Sequence, residues 1–265
     1  MEILIGTFGA MVGSFLNVVI YRLPLKRSIL SPPSACTSCG YRIKSIDNVP
    51  IFSWLILKGK CRSCNSVISV RYPVVELSTG VFFAIVTWKF LPTQSSTIYL
   101  LIAFLYFAAM SVALTLIDLD THTLPNAIVL PSYFVGAIFL SAAGIASGNY
   151  GAMLRGAMGA AALWLLYFSM AILYPDGMGF GDVKFAGVLG LFLGYLGWDV
   201  LVTGAFAAFA LGGLFALSLI LLRKSTLKSG IPFGPWMLAG AWLGVFFGVP
   251  IVQSYLSIFS LTSGI

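Results

Sequence analysis

A series of long uncharged runs dominates this chain and leaves few folds open to it. Eight stretches, at about 3–21, 74–91, 98–117, 127–147, 153–174, 184–197, 200–222 and 234–258, are almost free of charge. Each approaches the roughly 20 residues a helix needs to cross a bilayer, and only the run at 184–197 is short and rich in glycine. Backbone groups in lipid must pair within their own segment, so such runs fold as helices. The runs are continuous rather than alternating, which disfavours an outer-membrane barrel. Only 9% of the 265 residues are charged and 59% are hydrophobic, against roughly 25% charged in soluble domains. A soluble globule, a coiled coil and a disordered tail are thereby excluded. The expected fold is an all-α polytopic membrane protein with about eight transmembrane helices.

The basic residues orient it. Glu2 precedes the first run and no A-x-A cleavage site stands out before Arg22, so this run reads as a retained anchor. Nine basic residues, Arg22, Lys26, Arg27, Arg42, Lys44, Lys58, Lys60, Arg62 and Arg71, lie between the first two runs. Lys184, Arg223, Lys224 and Lys228 fall on the same face by alternation, which leaves only Lys89 and Arg155 opposite. The positive-inside rule makes the populated face cytoplasmic and puts both termini outside. That excess accounts for the net charge of +7. No aromatic-interleaved basic groove suggests nucleic acid, so the expected surroundings are the lipid bilayer.

Residues 22–72 form the one long polar insert, too small to bury much core alone. The expected domains are a first transmembrane helix at 1–21, this cytoplasmic insert at 22–72 and a helical membrane domain at 73–265. The insert holds all four cysteines, as Cys36-x-x-Cys39 and Cys61-x-x-Cys64 with 21 residues between the pairs. This is close to four-thiolate zinc spacing, with a slightly long middle. Gly40 and Asn65 follow the second cysteine of each pair, and both tolerate the left-handed turn of a zinc knuckle. A structural Zn2+ on Cys36, Cys39, Cys61 and Cys64 would supply folding energy the insert lacks. The alternatives are four free thiols or two disulfides, and a reducing cytoplasm argues against disulfides.

Of the eight acidic residues, Glu2, Asp47 and Asp199 are adequately explained by solvent. Asp118 and Asp120 close the third long run, and Asp182 opens the sixth within Gly179-Phe-Gly181-Asp182. Two intervening spans return the chain to the same face, so Asp118 and Asp182 can meet. Ionisable groups beside hydrocarbon are costly and tend to be functional. Two close carboxyls share one proton, and such a pair can activate water while hydrogen-bonding a scissile carbonyl, which is aspartic peptidase chemistry. Gly179 and Gly181 let backbone approach an extended substrate. The Gly-rich run follows no strand and lacks a Gly-Lys-Ser/Thr ending, so nucleotide binding is not expected. The competing functions are a transporter or proton channel relaying protons through the same acids, and an assembly platform for a pilus or secretion machine. No inverted repeat supports the transporter.

Five blocks in order now resemble a known family: Gly13-Ser-Phe-Leu-Asn17 through Arg22-Leu-Pro24, the paired C-x-x-C motifs, Arg71-Tyr-Pro-Val-Val-Glu76, Asp118 through Leu-Pro125-Asn126, and Gly179-x-Gly181-Asp182. The chain resembles the bifunctional type IV prepilin leader peptidases over nearly its whole length. The resemblance implies a catalytic pair at Asp118 and Asp182. Asp118 stands seven residues before the Pro-Asn pair, with Asp120 as the runner-up and otherwise a solvated loop acid. His122 is a proton shuttle or a plain interfacial histidine, and Lys184 biases the charge of the pair or merely anchors the helix. The resemblance further implies type IV prepilins or pseudopilins as substrates, for pili or type II secretion, at the bacterial inner membrane. It also implies methylation of the new N-terminus by S-adenosyl-L-methionine. No Rossmann fingerprint is present, so the cofactor pocket is not assigned. Glu76, Arg71 and Asn17 are weak candidates for it, against an interfacial ion pair for the first two and a helix–helix polar contact for Asn17.

Overall fold

The computed structural model describes residues 1–91, 94–174, 177–222 and 232–258. The acid Asp176 and the basic residues Arg223, Lys224 and Lys228, which entered the charge count, lie outside the described residues. Within the described residues the regular structure is helical. It comprises α1 (Glu2–Arg22), a short α2 (Phe52–Ile56), α3 (Arg71–Lys89), α4 (Ser95–Thr121), α5 (Asn126–Ser147), α6 (Tyr150–Leu173), α7 (Phe180–Leu196), α8 (Trp198–Leu221) and α9 (Gly234–Ile258). Eight of these fall on the eight apolar runs. Six, namely α1, α4, α5, α6, α8 and α9, are long and apolar enough to cross a membrane. The other two are α3, which carries Arg71, Glu76 and Lys89, and α7, with 17 residues.

Side chains are sorted as a lipid solvent demands. Large apolar groups face outward, including Ile3 on α1, Phe134 on α5, Leu154 on α6 and Phe206 on α8. Buried hydroxyls return to their own helix instead of needing water. Thr79, Thr87, Ser111 and Ser132 each donate to the carbonyl four residues earlier, at 2.6–2.7 Å.

The chain divides into two compact units. The first contains Met1–Thr93 together with Phe104–Ile117. Here α1 lies against α3 through small residues. A side chain on Gly6 or Gly80 would strike the backbone of the other, and one on Gly13 would strike the Glu76 backbone and Thr79. Phe90 stacks on Phe104 at 4.4 Å between ring centroids. The second unit contains Gln94–Ala103 and Asp118–Ile265. Its hub is α7, which packs on α5, α6, α8 and α9 and buries most of its surface. The Gly-rich composition of this short helix has a packing cause. A Cβ on Gly190 or Gly194 would meet the backbone of Gly159 or Arg155 in α6, so the two helices touch backbone to backbone as small-residue membrane interfaces do. A central helix with no bulky stripe against α6 can be short and still hold its neighbours.

Candidate functional site

Within the second unit, chain alternation brings several helix ends to one face: the end of α4 and the starts of α5, α7 and α9. Asp118 sits in the last turn of α4 and is 4% exposed. Its Oδ2 accepts the Gly234 N–H at 2.9 Å. Gly234 is the first residue of α9, where backbone N–H groups have no partner within the helix. The carboxylate therefore occupies the positive end of α9. Anything larger than glycine would have to displace one of its neighbours, because a Cβ on Gly234 would lie 2.7 Å from Asp118 Oδ2 and 3.1 Å from Leu124 Cδ2.

Asp182 lies in the first turn of α7, after Gly179 in extended geometry, with its N–H donating to the Gly179 carbonyl at 3.0 Å. A Cβ on Gly181 would reach Leu124 at 3.4 Å. Leu124, in the connection from α4 to α5, thus packs beside Gly181 of the Asp182 segment and beside Gly234, which bonds Asp118. Asp118 and Asp182 lie within electrostatic range of each other. So do Asp182 and Tyr167, whose ring on α6 packs against Phe209 and Phe233. The structure therefore gathers the two predicted aspartates, each at a helix N-terminus that favours a negative charge.

The remaining candidates of this unit surround them. Asp120 is exposed. His122 ends α4 in left-handed geometry (φ 53°), donates its N–H to the Asp118 carbonyl at 2.8 Å and lies within electrostatic range of Asp118. The Lys184 ammonium donates to Asn126 Oδ1 at 3.2 Å and sits over the Phe180 ring. Its carbonyl accepts from the Tyr133 hydroxyl at 2.6 Å, and that hydroxyl fills the space a side chain on Gly187 would need. Sequence reasoning missed Gly234, Leu124, Tyr167 and Tyr133. Of these Gly234 left a signal, as a Gly-Pro step at the start of an apolar run, and Leu124 stood in the Leu-Pro125-Asn126 block with no role of its own.

The first unit carries the thiols. The Sγ atoms of Cys36, Cys39, Cys61 and Cys64 all lie within 4.8 Å of one another and could hold a metal ion. All four cysteines are free. The two halves repeat each other: Cys36 N–H donates to Tyr41 and Gly40 N–H to Cys36, while Cys61 N–H donates to Ser66 and Asn65 N–H to Cys61. Gly40 and Asn65 take the expected left-handed geometry, at φ 72° and 57°. The Ser66 hydroxyl contacts the sulfurs of Cys36 and Cys64. With the backbone amides of Cys39 and Ser38 it holds the Cys36 thiol down at about 5.

Other contacts brace the insert. The Arg62 guanidinium meets the Asp47 carboxylate at both oxygens, at 2.6–3.0 Å. Hydrogen bonds from Arg62 and its charge hold Asp47 below the usual carboxylate range. Trp54 Nε1–H donates to the Ile68 carbonyl at 3.1 Å. Glu76 is buried, and its Oε2 accepts the Ile51 N–H at 2.7 Å. Asn17 Nδ2 donates to the Tyr72 carbonyl at 3.2 Å, a polar contact between α1 and α3. Arg71 opens α3.

Comparison with known proteins places both units. The pattern of the bacterial peptidase A24 N-terminal domain matches residues 7–90, and that of the type IV leader peptidase family matches residues 105–217. A protein of Aeromonas salmonicida named prepilin leader peptidase/N-methyltransferase is 35% identical over 281 residues, covering 96% of this chain and 93% of its own. Proteins of the same name from Aeromonas hydrophila (35%, covering 97% and 94%) and Pseudomonas putida (32%, covering 94% and 92%) also match. No solved structure gives a significant match. Similarity of this extent to full-length relatives, with both family patterns in order, makes the chain a multi-pass membrane enzyme of the type IV leader peptidase family.

Proposed function

We propose that this enzyme cleaves the basic leader from type IV prepilins or pseudopilins at the cytoplasmic face of the bacterial inner membrane, and then N-methylates the new N-terminus. The observation that carries the first activity is the seating of Asp118 on the N-terminus of α9, within electrostatic range of Asp182 on the N-terminus of α7.

The pair holds one proton between its two carboxyls when they close on a substrate, because two like charges brought within a few ångströms do not both ionise freely. The ionised member accepts a proton from water as the water oxygen attacks the scissile carbonyl. The protonated member hydrogen-bonds the carbonyl oxygen, where negative charge develops. Collapse breaks the C–N bond, and a proton passes to the departing amine. The titration belongs to the pair, so base and acid are roles of the pair and not of one named aspartate. A prepilin presents its leader to the cytoplasm and its apolar segment to lipid, which puts the scissile bond at the depth of these helix ends.

Support for the metal comes from the thiol geometry. A tetrahedral zinc with bonds of about 2.3 Å sets its sulfurs roughly 3.8 Å apart, and Cys36 Sγ and Cys64 Sγ are separated by 3.8 Å. Cys36, Cys39, Cys61 and Cys64 would hold Zn2+ with no position left open, which is a structural site. The names of the relatives support the second activity. S-adenosylmethionine supplies an electrophilic methyl on a sulfonium, which passes to the amine as one proton leaves and the sulfur departs as a neutral thioether.

Mass spectrometry of a prepilin co-expressed with the enzyme reads both reactions at once. Wild type should yield shortened, methylated pilin. General acid–base groups contribute about 10²–10⁴-fold, so Asp118→Asn and Asp182→Asn should each leave unprocessed prepilin. Full cleavage by both single variants eliminates the pair. Cleavage lost in Asp120→Asn but retained in Asp118→Asn moves the first carboxyl to Asp120.

A further inference from the structure

We infer that a cavity in the first unit, walled by α1, α3 and both thiol knuckles, is the S-adenosylmethionine pocket, and that Glu76 in it faces the cationic end of the methyl donor. This rests on the methyl-transfer reading above and gives it a place. The cavity measures about 420 Å³, within the roughly 300–1,000 Å³ of small-molecule sites. Its lining includes Asn17, Trp54, Tyr72, Glu76, Cys36 and Cys61.

Three properties fit this occupant. The first is charge. The ligand carries a sulfonium and an ammonium, and a buried carboxylate in a confined wall attracts cations far more strongly than one in water. Glu76 is 9% exposed, and Ile51 N–H engages only its Oε2. Among the described residues Oε1 has no protein donor, and it is not one of the buried unpartnered atoms, so it opens on the cavity. The second is a surface for adenine. Trp54 is held by its bond to Ile68, and Tyr72 stands on the same lining, so rings are in place for a flat base. The third is an anchor for the ligand's carboxylate. Of the two guanidinium groups on the lining, Arg62 is neutralised by Asp47, whereas among the described residues Arg22 bonds the Ser28 carbonyl, at 3.1 Å, and no carboxylate.

A neighbouring cavity of about 320 Å³ also touches Arg22 but is lined by Pro32, Pro33 and Pro50 and contains no acidic residue, so it lacks the group a sulfonium requires. Backbone geometry adds to the case. Ile51 lies at φ 65°, which is strained for a β-branched residue, and its N–H donates to Glu76 Oε2. Strain of this kind collects at ligand clamps.

Because Cys36 and Cys61 belong to the wall, the metal shapes the pocket. The test is calorimetric binding of S-adenosylmethionine and S-adenosylhomocysteine to the purified, metal-loaded full chain. The second ligand lacks the sulfonium charge. Wild type should bind both and prefer the charged one. The carboxylate attracts the sulfonium by charge alone, in a wall where that attraction is poorly screened, so Glu76→Gln should weaken S-adenosylmethionine at least tenfold and flatten the preference. The glutamine carbonyl can still accept from Ile51, and an unchanged metal content reports an intact insert. Asn17→Leu should weaken both ligands alike. Wild-type affinity and preference in Glu76→Gln, while methyl transfer to pilin continues in wild type, moves the pocket elsewhere and leaves the methyl-transfer reading standing. Wild type that neither binds S-adenosylmethionine nor methylates pilin removes both.

Discussion

The thiol cluster and the aspartate pair solve opposite problems. The cluster gathers four groups from a span of 29 residues, 36–64, by repeating one short turn twice. The acidic site joins Asp118, Asp182 and Gly234, which are separated by whole helices. The insert has little apolar interior of its own, and its exposed residues include Phe52, Leu55, Ile56 and Val67. The helical unit has a dense centre in α7, where Val183, Phe185, Ala186, Val188 and Phe192 are fully buried. One site is therefore locally encoded and needs an external staple. The other is encoded across the chain and needs none.

The largest effect that could break this contrast is metal removal. Structural zinc contributes on the order of 10 kcal/mol to small thiolate modules. Chelation should unfold residues 30–70, read as loss of hydrogen-exchange protection there, while α5–α9 keep theirs. Replacing Cys36 and Cys61 by Ser together should do the same. An insert that stays protected without metal has a sufficient core of its own, and the contrast fails.

Next in size is Gly234→Ala. Its Cβ would sit 2.7 Å from the Asp118 carboxylate, so either the carboxylate or the start of α9 must shift. Overpacking costs typically 1–3 kcal/mol, and kcat for prepilin cleavage should fall by about tenfold or more because the displaced group is a member of the pair. Gly213→Ala, in α8 with nothing within 4 Å of its Cβ, is the control and should leave cleavage and melting temperature near wild type. If both variants behave alike, close seating at Asp118 does not matter for the reaction.

These two tests follow what the sequence makes legible. A charge inside an apolar run is rare enough to stand out, so Asp118 and Asp182 are visible without any contact being known. The cysteines announce themselves by spacing, and Gly40 and Asn65 by the geometry they permit. Gly234 is different. Its meaning is a hydrogen bond to a residue 116 positions away, and a Gly-Pro step says only that a helix begins. The start of α7 was displaced for a related reason. A hydropathy reading begins that helix at about 184 because the charged Asp182 falls just before it, whereas the helix starts at Phe180. A carboxylate in the first turn favours the helix, and Lys184 lays its charge over Phe180 and against Asn126. The short α2 went unread because its five residues, Phe52–Ile56, carry no periodicity of useful length. Its reason to form is tertiary: Ser53 bonds the Ile46 carbonyl and Val49 N–H, and Trp54 bonds Ile68.

The smallest expected effect sharpens the insert's side of the comparison. Hydrogen bonds from Arg62, then the charges of Arg62 and Lys44, hold Asp47 below its ordinary value. A carboxyl whose folded value is depressed stabilises the folded form fully above the unfolded value, and this contribution disappears as pH falls through the folded one. At pH 7 the Asp47–Arg62 pair should therefore support the insert, and below about pH 4, the unfolded carboxylate value, it should progressively cease to. The Arg62 side of the pair is half exposed, and ion pairs in contact with solvent are weak and screened by salt, so Asp47→Asn should shift insert stability only slightly at neutral pH. The measurement is denaturant unfolding of the insert in metal-loaded wild type and Asp47→Asn at each pH, where thiolate protonation acts on both proteins alike and cancels from the difference between them. The gap between the two should narrow towards pH 3 and with added salt. A gap that persists unchanged at pH 3 would mean that Asp47 acts through shape and hydrogen bonding alone. The turn at Ser45–Asn48 would then be fixed to the second knuckle without any electrostatic help.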